Sequence, residues 1–129
     1  MDGFSDVKIS WKGTEYTIPA NNTLMLIARL ESILSNGTGE QAINVLLRKG
    51  GPPHAILAMS YGAALRHAGC EVSDDEIYLS VQADLANDSM DAALNLNVAI
   101  IGLLGIMSPP LASKVAGDST EKKTVAAKD

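Results

Sequence analysis

Residues 91–110 read DAALNLNVAIIGLLGIMSPP, an uncharged run between an opening aspartate and two closing prolines. No other feature limits the fold of this chain so strongly. A membrane-crossing helix needs about 20 predominantly apolar residues. The stretch from Ala92 to Met107 is shorter, holds Asn95 and Asn97, and lacks the basic and aromatic anchors expected at a bilayer surface. A core helix explains it better. Leu96, Ile100, Leu103 and Met107 share one stripe, and Leu94, Val98, Ile101 and Leu104 share a second beside it. A small domain seldom hides every side of a helix, so a partner chain is expected to cover part of this run or the apolar face of another element.

The segment ahead of that run divides at clear signals. In DVKISWKGTEYTIP apolar and polar residues alternate, which places Val7, Ile9 and Trp11 on one side of a first strand and Tyr16 and Ile18 on one side of a second. Lys12-Gly13 between them suits a tight turn, so residues 7–18 form a β-hairpin with one apolar face. Such a ribbon is marginal alone and must dock on something. After Pro19 a helix starts at Asn22 or Thr23, with Leu24, Ile27, Leu30 and Ile33 or Leu34 as its stripe and Asn36-Gly37 as its stop. Thr38 and Gln41 have capping-box spacing for a short second helix that KGGPP halts. Pro52-Pro53 fits the first turn of a third helix. Its inward residues are expected to be Ile56, Met59, Ala63, Ala64 and His67 or Ala68, and Gly69 its left-handed stop.

Ser73 and Glu76 make a second capping box, with Asp74 and Asp75 at the positive end of a fourth helix whose apolar positions are Ile77, Val81 and Leu85. Asn87, Asp88 or Ser89 caps the fifth helix. Aromatics are only 4% of the 129 residues, so aliphatic side chains must fill the core, which favours helix on helix. The expected architecture is mainly α, an N-terminal hairpin followed by a compact bundle of about five helices between residues 23 and 110. Residues 1–110 make one domain, and 111–129, small, polar and charged without apolar periodicity, make a flexible tail.

Charge and side-chain chemistry narrow the function classes. Residues 54–110 carry seven acidic side chains against Arg66 alone, a net of −6, which would repel phosphate backbones. Proteins, not nucleic acids, are the expected partners. The single cysteine, Cys70, suits a reducing cytoplasm, and MDGFSDVK has no cationic start leading into an apolar run, so no signal peptide is expected. His54, His67 and Cys70 fall short of the four ligands of a structural zinc site. EVSDDE lacks the alternating acids and turn glycine of a calcium loop, and RKGGPP places its glycines after the lysine, unlike a phosphate loop. Neither Ser60 nor Cys70 stands in a motif that would activate it. The residues therefore describe an interaction module with no enzyme chemistry and no cofactor.

Three stretches add a resemblance. ISWKGTEYTIPANNTLMLIARLESIL resembles the opening of the tail assembly chaperones of long-tailed bacteriophages and related gene transfer agents, which often show Trp, a basic residue and Gly in the turn, an aromatic, then Ile-Pro and a helix. AMSYGAALRHAGCEVSDDEIY is similar to that family's middle, with His67 standing where an aromatic is more usual, and LLGIMSPP is similar to its apolar closing helix and double proline. The resemblance implies a non-enzymatic protein of the host cytoplasm that binds the tape-measure protein and helps tail-tube protein polymerise around it. It also implies a longer form made by frameshifting near the end of the gene, for which Glu121-Lys122-Lys123 marks a place. On this reading Trp11 and Tyr16 of the hairpin, with Leu96, Ile100, Leu103, Leu104 and Met107 of the last helix, supply the apolar contact with the partner. Self-association into a homo-oligomer is compatible with the same faces. The alternatives are a structural tail or connector component of the particle, and a small membrane-associated protein anchored by its last helix.

Overall fold

A computed structural model describes residues 3–36, 39–87 and 90–114. Two strands, β1 (Val7–Trp11) and β2 (Thr14–Ile18), precede five helices: α1 (Thr23–Ser35), α2 (Ala42–Leu47), α3 (His54–His67), α4 (Asp74–Ala86) and α5 (Met90–Met107). The protein is mainly helical with an N-terminal antiparallel hairpin, as the sequence pattern predicts.

The hairpin pairs Val7 with Ile18, Ile9 with Tyr16 and Trp11 with Thr14. Lys12 and Gly13 both have positive φ, 48° and 83°, the backbone twist that a two-residue turn needs to join antiparallel strands. Its apolar face docks on α3 and α5, which leaves Ile9 and Ile18 buried and Val7, Trp11 and Tyr16 packed at the margin. A polar anchor fixes the docking: Tyr61 Oη of α3 donates to the Ser10 carbonyl at 2.6 Å and accepts from the Ser10 N–H at 3.3 Å. One phenol thus satisfies both backbone groups of a residue that does not bond across the hairpin. At the other end the Ala20 N–H donates to Asp6 Oδ1 at 2.7 Å, tying the exit of β2 to the entry of β1.

Helix α3 occupies the middle. α1 and α4 pack along it, and α5 with β1 lies beneath. Leu57, Tyr61, Ala64 and Leu65 face inward from it, so the expected stripe is rotated: Met59 is exposed, Ile56 is half-buried, Ala63 and Ala64 are buried as expected, and of the pair His67 or Ala68 it is Ala68 that packs on the core while His67 is exposed. The small residues of α3 allow the close packing. A Cβ at Gly62 would overlap Asp74 Oδ1 and stand 3.2 Å from Ile77 Cδ1. The end of α3 follows the local signal. Gly69 takes φ 97°, its N–H donates to the Arg66 carbonyl, and the Cys70 N–H donates to Leu65 O at 2.9 Å, closing a Schellman motif.

The predicted capping box of α4 forms in both directions: the Glu76 N–H donates to Ser73 Oγ at 3.1 Å, and the Ser73 N–H donates to Glu76 Oε1 at 3.2 Å. Of the apolar positions of α4, only Ile77 is fully buried, while Val81 is half-buried and Leu85 exposed. In α1 the start falls at Thr23 as expected, but the buried residues are Leu26, Ile27, Leu30 and Leu34, with Leu24 turned outward. Thr23 is buried with them. Its hydroxyl lies 2.9 Å from Pro19 O and 2.8 Å from Ala20 O, holding the first turn against the chain that enters it. α2 starts at Ala42 with Gln41 as an N-cap that makes no side-chain cap bond, three residues after the predicted cap. Thr38 and Gly37 lie outside the described residues, as do Asp88 and Ser89, proposed as caps of α5.

The core continues past Pro110. Residues 109–114 are helical, and Leu111 and Ala112 pack against the main apolar cluster, so the packed region runs two residues beyond the expected domain end. The remainder of the predicted tail, 115–129, lies outside the described residues.

Candidate functional site

α5 changes character halfway. Leu103, Leu104 and Ile106 are wholly buried, whereas Leu94, Val98 and Ile101 remain 61%, 47% and 40% exposed. The three exposed residues follow helical steps of four and three, and Asn97 lies beside them, also exposed. Leu96 and Ile100, half-buried, form the shoulder between the two sides.

A groove of about 490 Å³ runs along this shoulder, between α5 and the end of α2. Leu46, Leu47, Leu96, Ile100, Ile101 and Leu104 give it apolar walls, and Arg48 and Asn97 add polar atoms. Leu47 is 45% exposed. Gly51 comes close enough that a Cβ there would meet Ile100 Cδ1 at 3.1 Å, so the loop after α2 forms a tight edge of the groove. Arg48 is held at this edge by Glu40, with Nη2 to Oε1 at 2.6 Å.

The seven residues expected to touch a partner divide into four groups. Leu96 and Ile100 line the groove with only the edge of Leu104, because Leu104, like Leu103, is fully buried core in this fold. Trp11 sits at the tip of the hairpin in a second cleft of about 230 Å³, which it shares with Leu96, Val98 and Ala99. Lys12 Nζ stands 5.4 Å from the centre of its ring. Tyr16 and Met107 are half-buried and line neither cleft. Tyr16 instead meets Cys70, and hydrogen bonding with that thiol, aided by burial, raises the phenol above its ordinary value.

The exposed residues Leu94, Val98 and Ile101 were legible as a stripe but not as the outer one. The signal that distinguishes them is Asn97, which falls on their side and which a buried stripe would have to satisfy. Asn95 has a different role: its Nδ2 donates to Asp84 Oδ2 at 3.2 Å and joins α5 to α4.

His54 Nδ1 is 3.1 Å from Gln82 Nε2, His67 is exposed on α3, and Cys70 is buried. Ser60, fully buried, directs its hydroxyl to Ile56 O at 2.9 Å, a back-bond within its own helix. Among the described residues no three His, Cys, Asp or Glu side chains gather to hold a metal ion. No helix among them is long and apolar enough to cross a membrane. Comparison with known protein families, curated proteins and solved structures finds no match to this chain.

Proposed function

We propose that this protein is a tail assembly chaperone of a long-tailed bacteriophage or gene transfer agent, acting in the host cytoplasm to keep the tape-measure protein soluble while tail-tube protein polymerises around it. The observation that carries the proposal is the exposed first half of α5 beside its apolar groove, in a chain whose opening, middle and closing segments resemble that family. A tape-measure protein presents long apolar helices that would self-associate if bare. An apolar helix laid along the groove meets Leu47, Leu96, Ile100 and Ile101 in the manner of a helix-in-groove complex. The acidic character of residues 54–110 keeps the loaded complex dispersed by repulsion.

The test is co-expression with the tape-measure protein of the same genome, followed by purification without detergent. A soluble complex that is lost in the Leu94→Ser and Ile101→Ser variants, with their thermal midpoints retained, is the expected outcome. A tape-measure protein that aggregates in the presence of soluble wild-type chain overturns the assignment.

A further inference from the structure

The face of the molecule formed by α1, α3 and α4 carries two grooves of opposite charge. At one, between α1 and the end of α3, Met25, Arg29, Arg66 and His67 border a volume of about 450 Å³. At the other, between the start of α3 and the start of α4, Met59, Tyr78 and Leu79 with Asp74 and Asp75 border about 410 Å³. Both open on one side of α3, because Ala55 and Met59 of the acidic groove and Ala63 and Arg66 of the basic one follow in steps of four, four and three. Each groove also offers an exposed apolar side chain, Met25 at 74% and Leu79 at 65%.

The charges within the face are not all neutralised. Arg66 Nη1 pairs with Asp74 Oδ1 at 2.8 Å and donates to Val72 O, which uses one charge of each sign. Arg29 and Asp75 make no ion pair among the described residues. One face therefore presents an unpaired cation beside an exposed methionine and an unpaired anion beside an exposed leucine. A partner that matches it must carry the same pattern reversed.

We propose that the partner is a second copy of this chain, turned about a two-fold axis that lies in the plane of the face and bisects the line between the two grooves. That operation lays the basic groove of each copy over the acidic groove of the other. Arg29 then faces the second copy's Asp75, Met25 meets the second copy's Leu79, and both contacts occur twice, as an isologous interface requires. The interface shares no lining residue with the groove between α2 and α5, so it does not depend on the chaperone reading.

Sedimentation of the full chain over a concentration series, at low and high salt, tests the proposal. The wild type is expected to dimerise reversibly, more weakly at high salt. R29E and D75R each place like charges opposite one another twice, and each is expected to weaken the dimer on the order of tenfold or more. A one-to-one mixture of the two variants has opposite charges at both contacts and is expected to dimerise again, as is the double variant. Leu79→Ser supplies an uncharged variant with the same expected loss, and thermal midpoints confirm that each variant is folded. A wild type that stays monomeric up to millimolar protein overturns the proposal. So does a dimer indifferent to all three single variants, or a mixture of R29E and D75R that fails to associate.

Discussion

The two halves of α5 are alike in composition and opposite in surroundings. Ala92 to Ile101 and Gly102 to Met107 are both uncharged and rich in aliphatic residues, yet the second half is enclosed while the first keeps Leu94, Val98 and Ile101 in the open. The difference comes from what lies over each. Against the second half lie β1 and α3: Cβ positions built at Gly102 and Gly105 fall 3.4 Å from Ile9 Cγ2 and 3.7 Å from Val7 Cγ1. Against the first half lie the short α2 with its loop, one side of α4 and, along one edge, the hairpin tip at Trp11, and together they do not enclose the helix. Apolar character alone does not make a residue core. Burial needs a neighbour on the same side, and here the hairpin supplies it for half of the helix.

Removing a side chain from the enclosed half gives the largest expected effect. Leu103→Ala should cost about 2–5 kcal/mol, the range for truncating a fully buried leucine, measured as a fall in the denaturant midpoint. A loss below about 1 kcal/mol would show that this half is not core. The next tests the hairpin that encloses it. Tyr61→Phe removes the phenol that bonds both backbone groups of Ser10 and leaves them without that partner, for an expected loss of about 1–2 kcal/mol. The same residue gives a pH dependence. Burial, the main cause, raises the Tyr61 phenol above 10.0 despite the lowering effect of its bonds to Ser10, so the folded state holds its proton more tightly than the unfolded chain. That contribution is complete below pH 10 and lost as pH rises through the raised value, and alkaline unfolding curves should lose this component in Tyr61→Phe.

Two glycines differ in the same way at smaller scale. Gly62→Ala forces apart the Arg66–Asp74 pair and crowds Ile77; the gain in helix propensity offsets part of this, for a net loss of about 1 kcal/mol. Gly102→Ala meets only ordinary van der Waals distances, 3.4 Å to Ile9 and 3.6 Å to Tyr61, and should be neutral or stabilising by up to about 1 kcal/mol. Thermal unfolding of the two variants separates these outcomes by sign. The smallest stability change belongs to the open half. Leu94→Ser should stay within about 0.5 kcal/mol of the wild type, since a side chain already in water loses little on truncation. A larger loss would mean that something covers this half even in the isolated chain.

How far the fold was legible depended on the range of the forces involved. The capping box at Ser73 and Glu76, the stop at Gly69 and the turn at Lys12-Gly13 were readable because the groups that satisfy one another lie within a few residues along the chain. The start of α2 marks the limit of that approach, since the helix begins at Ala42 with Gln41 as its N-cap, three residues later than the predicted cap. The rotations of α1 and α3 were not readable. In α1, Ile27, Leu30 and Leu34 fit both the expected stripe and the observed one, and packing on α2 and α3 buried Leu26 in place of Leu24. In α3, apolar and small residues occur on most sides, so periodicity had little to distinguish, and only the positions of α1, α4 and β1 left Met59 outside.

The candidate site shows the same division. From the sequence came an apolar last helix too rich in aliphatic residues for a small domain to hide, together with the two stripes along it. Which of these residues stay exposed depended on tertiary structure: Leu103 and Leu104 went to the core, while Leu94, Val98 and Ile101, none of them in the expected contact set, were left in the open. By itself the sequence determined where helices start and stop, through bonds between near neighbours, and how much apolar surface the chain must bury. Which part of that surface is buried was settled by tertiary packing, because burial is a property of two elements brought together across the chain, and the hairpin and α3 enclose one half of α5 while meeting only an edge of the other.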